Sequence, residues 1–242
     1  MNKSLNRRSL YKIGGVAAWI VSVLTLSEII FFVLYPPPET VSGWFELFQT
    51  NALVAILDFW GLEIPMYVMF IFVFLALYAL LKDTGPSLMT ISLIFIIVGS
   101  AIFLSTNNPF SMLTLSNQYV AATTDSERSA LLAAGQVLVS NTNQRAVGGF
   151  NIGLFLVSIA GLLTSKVMLQ SRAFSKSTAI IGILAFAFSL ADYIRQVFTQ
   201  SLLVALPLIL LGALFLLTWF VSVGVRLFRL GSITENIQKE NN

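Results

Sequence analysis

Apolar positions in this chain gather into six long runs, residues 13–35, 61–81, 88–104, 147–169, 178–198 and 202–225. Each is close to the ~20 residues that carry a helix, at 1.5 Å per residue, across a hydrocarbon core about 30 Å thick. Lipid offers a bare backbone no hydrogen-bond partner, so a spanning segment must be a helix or part of a closed barrel. The runs lack the polar/apolar alternation of barrel strands. The pattern therefore predicts an all-α polytopic membrane helix bundle with six transmembrane helices, read as a single integral membrane domain over 1–242. The first run follows basic residues, as a signal peptide would. It is too long for one, however, and it ends in Pro36, Pro37 and Pro38 without a small-residue cleavage site, so it reads as an anchor.

Charge orients the bundle. Lys3, Arg7, Arg8, Lys12, Lys82, Lys166, Arg172, Lys176, Arg226, Arg229 and Lys239 flank one side of the six runs, and only Arg128, Arg145 and Arg195 belong to the other. Positive charge is retained on the cytoplasmic side, so eleven against three predicts both termini inside. The segment Trp44 to Trp60 is apolar enough to suggest a seventh span, but it carries Glu46, Gln49, Asn51 and Asp58. Treating it as a span would level the partition at seven against seven. It reads instead as an outer interfacial helix over 43–59, with Trp44, Phe45, Phe48, Phe59 and Trp60 at headgroup depth.

Residues 107–145 form the second outer segment. After a moderately polar stretch from Ser111 to Ala122 comes Thr124-Asp125-Ser126-Glu127, a capping box in which Thr124 satisfies an orphan amide and Glu127 reaches back. A helix is predicted to start there. Ala130, Leu131, Ala134, Val137 and Leu138 recur at helical spacing as its apolar face, and Asn141-Thr142-Asn143 ends it. The segment reads as an outer helical hairpin, either a lid or a passive connector.

Composition then removes whole chemistries. The chain is 57% hydrophobic and 10% charged, with mean hydropathy +0.85. It contains no His and no Cys, which excludes zinc-hydrolase sites, thiol nucleophiles, disulfides, iron–sulfur clusters and His-ligated haem. No Walker loop occurs; no cofactor and no metal is expected. Gly149 and Gly153 have the small-xxx-small spacing of close helix packing, which Ala160 and Gly161 extend. The basic balance resides in loop ends that membrane orientation already explains, so the bilayer, and not nucleic acid, is the expected partner.

Ionisable residues inside apolar runs are the candidate chemistry, because each costs about 2.5–3.5 kcal/mol at mid-helix unless it faces protein or water. Glu28 lies seven positions before Tyr35, about 10 Å below the outer end of its helix. Asp192 and Arg195 share one face of the fifth span at i,i+3 spacing. Glu63 begins the second span, Arg145 and Asn151 begin the fourth, and Asp58 ends the interfacial helix. All seven fall in the outer half. They either pair to hold helices in register or line an outward-facing polar pocket for a small molecule or ion.

The order of spans resembles that of a known family. So do the outer segment Leu115-Ser116-Asn117-Gln118-Tyr119-Val120-Ala121-Ala122-Thr123-Thr124 with Glu127-Arg128-Ser129-Ala130-Leu131-Leu132-Ala133-Ala134-Gly135, and the loop Met168 to Phe174 leading into Thr178-Ala179-Ile180-Ile181-Gly182. The chain is similar to an uncharacterised prokaryotic multi-pass membrane family, the domain-of-unknown-function family numbered 4386. The resemblance implies a cytoplasmic-membrane protein and supplies no catalytic residues. A sensor, scaffold or small-ligand binding protein is the leading reading, since a polar outer pocket needs no further motif. A secondary transporter or proton- or cation-coupled carrier is the alternative, with Glu28 and Asp192 as its coupling sites. An intramembrane enzyme comes last: Asp58 and Asp192 lack aspartyl-protease flanking motifs, and Ser165 beside Lys166 points the wrong way for a Ser–Lys pair.

Overall fold

A computed structural model describes residues 3–141, 151–199 and 201–239, and these are helical apart from short turns, with no strand among them. The helices are α1 (Lys3–Leu34), α2 (Val41–Thr50), α3 (Ala52–Ile56), α4 (Glu63–Leu81), α5 (Pro86–Thr106), α6 (Pro109–Ala121), α7 (Asp125–Asn141), α8 (Ile152–Gln170), α9 (Lys176–Phe198) and α10 (Leu202–Lys239). Among the described residues, six helical stretches are long and apolar enough to cross a membrane, and they fall on α1, α4, α5, α8, α9 and α10. Their boundaries follow local chemistry. Pro86 and Pro109 open α5 and α6, where a missing N–H costs nothing. Asn151 and Ser175 cap α8 and α9 by accepting from the amides of Leu154 and Thr178.

The six long helices close into a ring in the order α1, α4, α5, α8, α9, α10 and back to α1. Small residues set the closest approaches. A side chain at Gly153 would strike the Gly99 carbonyl across the α5–α8 seam, and one at Gly15 would strike the backbone of Phe228 across α1–α10. The Phe186 ring lies flat against Gly161, so this small face of α8 packs as its spacing predicts; Gly149 lies outside the described residues. At mid-height the ring is filled by aromatics. Phe70 stacks on Phe220 at 5.1 Å, and Trp219 meets Phe220 and Phe186 edge-on at 4.9 and 5.1 Å. The outward faces carry Val23, Ile94 and Leu210, all more than half exposed, as expected of surfaces that meet lipid.

The remaining helices build a cap on the ring end opposite the two termini. Trp44, Phe45 and Phe48 of α2, Ala55 of α3, Phe59, Met112 of α6 and Val139 of α7 form a second core, separate from that of the ring. Residues 43–59 are therefore divided where one interfacial helix is expected: the chain breaks at Asn51, whose side chain leaves α2 to cap α3 through the Val54 amide at 3.2 Å. Trp44, Phe45, Phe48 and Phe59 are at most 2% exposed, held by α6 and α7 instead of by headgroups. The predicted hairpin is present as α6 and α7, and the capping box forms: the Glu127 amide donates to Thr124 Oγ1 at 3.2 Å, and the Thr124 amide to Glu127 Oε2 at 3.2 Å. The buried face of α7 differs from the predicted one. Gly135 and Val139 are buried while Ala130, Ala134 and Val137 are exposed, because α7 approaches α2 most closely at Gly135, against Val41 and Phe45. A glycine contact puts no apolar side chain into the sequence pattern.

Candidate functional site

Between cap and ring the chain leaves helical geometry at Phe59 (φ −85°, ψ 58°) and Trp60 (φ 66°, ψ 14°). Trp60 is the one non-glycine residue with positive φ among the described residues, an arrangement that costs a bulky side chain about 1–2 kcal/mol. Packing holds it there. Phe59 meets Trp44 edge-on at 5.0 Å in the cap, and Trp60 meets Phe103 edge-on at 5.5 Å in the ring, so the two residues face different cores. Gly61 is obligatory, since a Cβ there would overlap the Ile56 carbonyl. Asp58 and Glu63 bracket this corner, 1% and 2% exposed. Glu63 occupies the first turn of α4, where the helix N-terminus favours a carboxylate.

One turn further along α4, the Tyr67 ring stacks on Phe103 at 3.8 Å. Its hydroxyl is within electrostatic reach of Glu63, of Glu28 on α1 and of Tyr193 on α9. Tyr193 is in turn within reach of Glu28 and Asp192. Neither phenol makes a hydrogen bond within the described residues. Three helices thus bring Glu28, Glu63, Tyr67, Asp192 and Tyr193 into one electrostatic neighbourhood, toward the capped end from the aromatic filling. Among the described residues, no three carboxylates converge closely enough to hold a metal ion.

Asp192 and Arg195 form the pair that their spacing predicts. Arg195 Nε donates to Asp192 Oδ1 at 2.8 Å, with both side chains about a tenth exposed. Gln196 Nε2 donates to Asp192 Oδ2 at 2.9 Å, and the second arm of Arg195 reaches the Thr199 carbonyl at 2.7 Å. Asn151 does something different: besides capping α8, its amide donates to Thr106 Oγ1 at 3.2 Å and Asn107 Oδ1 at 3.3 Å, fastening α8 to the end of α5. Arg145 lies outside the described residues. Of the predicted residues, Glu28, Glu63, Asp192 and Arg195 belong to one layer, Asp58 lies at the corner above it, and Asn151 is a staple at its margin. Tyr67, Tyr193, Gln196 and Asn107 are additions. Tyr67 repeats the face of Glu63 at i+4, and Gln196 that of Asp192 at i+4, so helical spacing from the charged residues finds both.

A sequence profile of a family described as a domain of unknown function, DUF4386, matches residues 10–224. The chain belongs to the DUF4386 family. The match runs from within α1 to within α10, so the corner at Trp60, the cap and the polar layer all lie within the family's extent. No curated protein and no solved structure matches the chain.

Proposed function

We propose that this DUF4386 protein is a small-ligand binding protein or sensor of the cell membrane, a single integral domain with both termini cytoplasmic. Its pocket is the polar layer of Glu28, Glu63, Tyr67, Asp192, Tyr193 and Arg195, entered from the capped face. The observation that carries this reading is the contrast in height. Two phenols that make no hydrogen bond within the described residues lie within electrostatic reach of three carboxylates, on the capped side of a ring interior closed by Phe70, Phe186, Trp219 and Phe220. Unspent donors beside charge in a lipid setting are supplied by water or a solute. The eleven-to-three partition of basic residues supports this orientation, in which the cap faces outward.

A carrier is the second reading, favoured by the break at Phe59 and Trp60 where the chain enters α4. The aromatic filling would then have to part during a cycle. The deciding experiment is a high-resolution structure in lipid, inspected for non-protein density between Glu28, Tyr67 and Asp192. Density there, reduced in Glu28→Gln, is the expected result. An empty layer sealed by side chains contradicts both readings and leaves the charges as struts.

A further inference from the structure

The cap carries a second concavity, distinct from the polar layer. It lies between α2 and α6 as an open depression of about 260 Å³, lined by Ser42, Phe45, Glu46, Gln49, Tyr119 and Val120. That volume is below the about 300–1,000 Å³ of pockets for drug-sized ligands, so it suits a small molecule or a single headgroup. Its walls are fixed. Gln49 Nε2 donates to Ser116 Oγ at 2.8 Å and to Asn117 Oδ1 at 2.9 Å, and Ser116 Oγ donates to the Phe45 carbonyl at 2.8 Å, which latches α2 to α6. The Tyr119 ring packs on the buried Phe45 ring, 5.2 Å away at 46°, and this contact fixes its position at the rim.

Three features of this concavity share one electrical sign. Glu46 makes no side-chain hydrogen bond or ion pair within the described residues, so its carboxylate is uncommitted. Tyr119 and Val120 belong to the last turn of α6, where the helix dipole ends in unsatisfied carbonyls and favours positive charge. Aromatic faces attract cations through their quadrupole. None of the lining residues is basic, and the Arg128 guanidinium donates to the Ala122 carbonyl at 3.3 Å. A strongly hydrated metal ion gains little from apolar walls; a weakly hydrated organic cation gains from walls and carboxylate together.

We propose that this concavity binds a quaternary ammonium group, with Glu46 as counter-charge and the Tyr119 ring as its aromatic wall. The group belongs either to a free solute or to a lipid headgroup, since the chemistry is the same. The site does not depend on the polar layer being a pocket.

The test is isothermal titration of the full chain in detergent with choline chloride, against sodium chloride at matched ionic strength. Saturable heat with choline alone is expected, with affinity roughly three- to thirtyfold weaker in Glu46→Gln and in Tyr119→Leu. Circular dichroism and melting verify that each variant is folded; Glu46 is exposed, so Glu46→Gln decides the matter even if Tyr119→Leu fails to fold. Repeating the titration in phosphatidylcholine and phosphatidylglycerol nanodiscs distinguishes the sources. Weaker choline binding in phosphatidylcholine supports a headgroup occupant, and equal binding supports a free solute. Choline heat no different from that of sodium chloride, or unaltered affinity in a folded Glu46→Gln, overturns the proposal.

Discussion

Replacing Asp192 and Arg195 singly and together by leucine separates a charge pair from two independent contributions. In Asp192→Leu two donors lose their acceptor, Arg195 Nε at 2.8 Å and Gln196 Nε2 at 2.9 Å, and the guanidinium keeps only the Thr199 carbonyl. In Arg195→Leu the carboxylate keeps only Gln196. Both side chains are about a tenth exposed, so solvent screens the orphaned charge weakly, and each single change should cost about 3–5 kcal/mol. For a chain of this length that lowers the melting temperature by roughly 6–20 °C. Independent effects would sum to about 6–10 kcal/mol. Because each cost is mainly the stranded partner, the double variant should instead lie within about 1 kcal/mol of the parent, or above it. Melting in detergent, followed by tryptophan fluorescence and by size-exclusion recovery, reads all four proteins. A double variant as unstable as the sum refutes the pairing.

Other expectations follow from the same geometry. Thr124→Ala should cost about 0.5–2 kcal/mol in α7, seen as reduced hydrogen-exchange protection from Ser126 to Val139, and unaltered protection would contradict the cap. Hydrogen bonds from the Thr123 and Thr124 amides hold the Glu127 carboxyl below its ordinary value of about 4.5. Its contribution is therefore complete above that value and lost as pH falls through the lowered one, so protection of those two amides should be level near neutrality and drop only in acid. Gly61→Ala places a methyl against the Ile56 carbonyl and should loosen the cap, with faster limited proteolysis in α2 and α6 and little change in the ring. Single cysteines introduced at Gln118 and Thr40 should react with impermeant reagent in intact cells and those at Ser87 and Ser175 should not, since the chain has no cysteine of its own. Labelling at Ser87 would invert the proposed orientation.

The six long helices were legible because lipid imposes one requirement on every spanning segment, a long apolar run with satisfied backbone, and that requirement is written locally. The capping box at Thr124 and the pair at Asp192 and Arg195 were legible for the same reason, as both are contacts within one helix over three residues. Contacts between helices were not. Nothing local in Trp44, Phe45 or Phe48 distinguishes a headgroup belt from a core shared with Met112 and Val139, which lie more than sixty residues away. Likewise Tyr67 and Tyr193 read as apolar-span aromatics until α1, α4 and α9 bring them beside Glu28 and Asp192. The left-handed turn at Trp60 had no warning at that residue, although Gly61 beside it marked a tight approach.

The height contrast is best tested by aqueous thiol accessibility, with Tyr67→Cys and Tyr193→Cys placed against Phe74→Cys and Phe186→Cys in otherwise parental protein. Phe74 and Phe186 both pack on Trp219 in the aromatic filling, below the polar layer. A small water-soluble methanethiosulfonate reagent added to the capped face should modify the first two variants and leave the second two unmodified, and Glu28→Gln should not change that order. A dry Tyr67→Cys, or equal modification at Phe74→Cys, would contradict a hydrated polar layer closed from below.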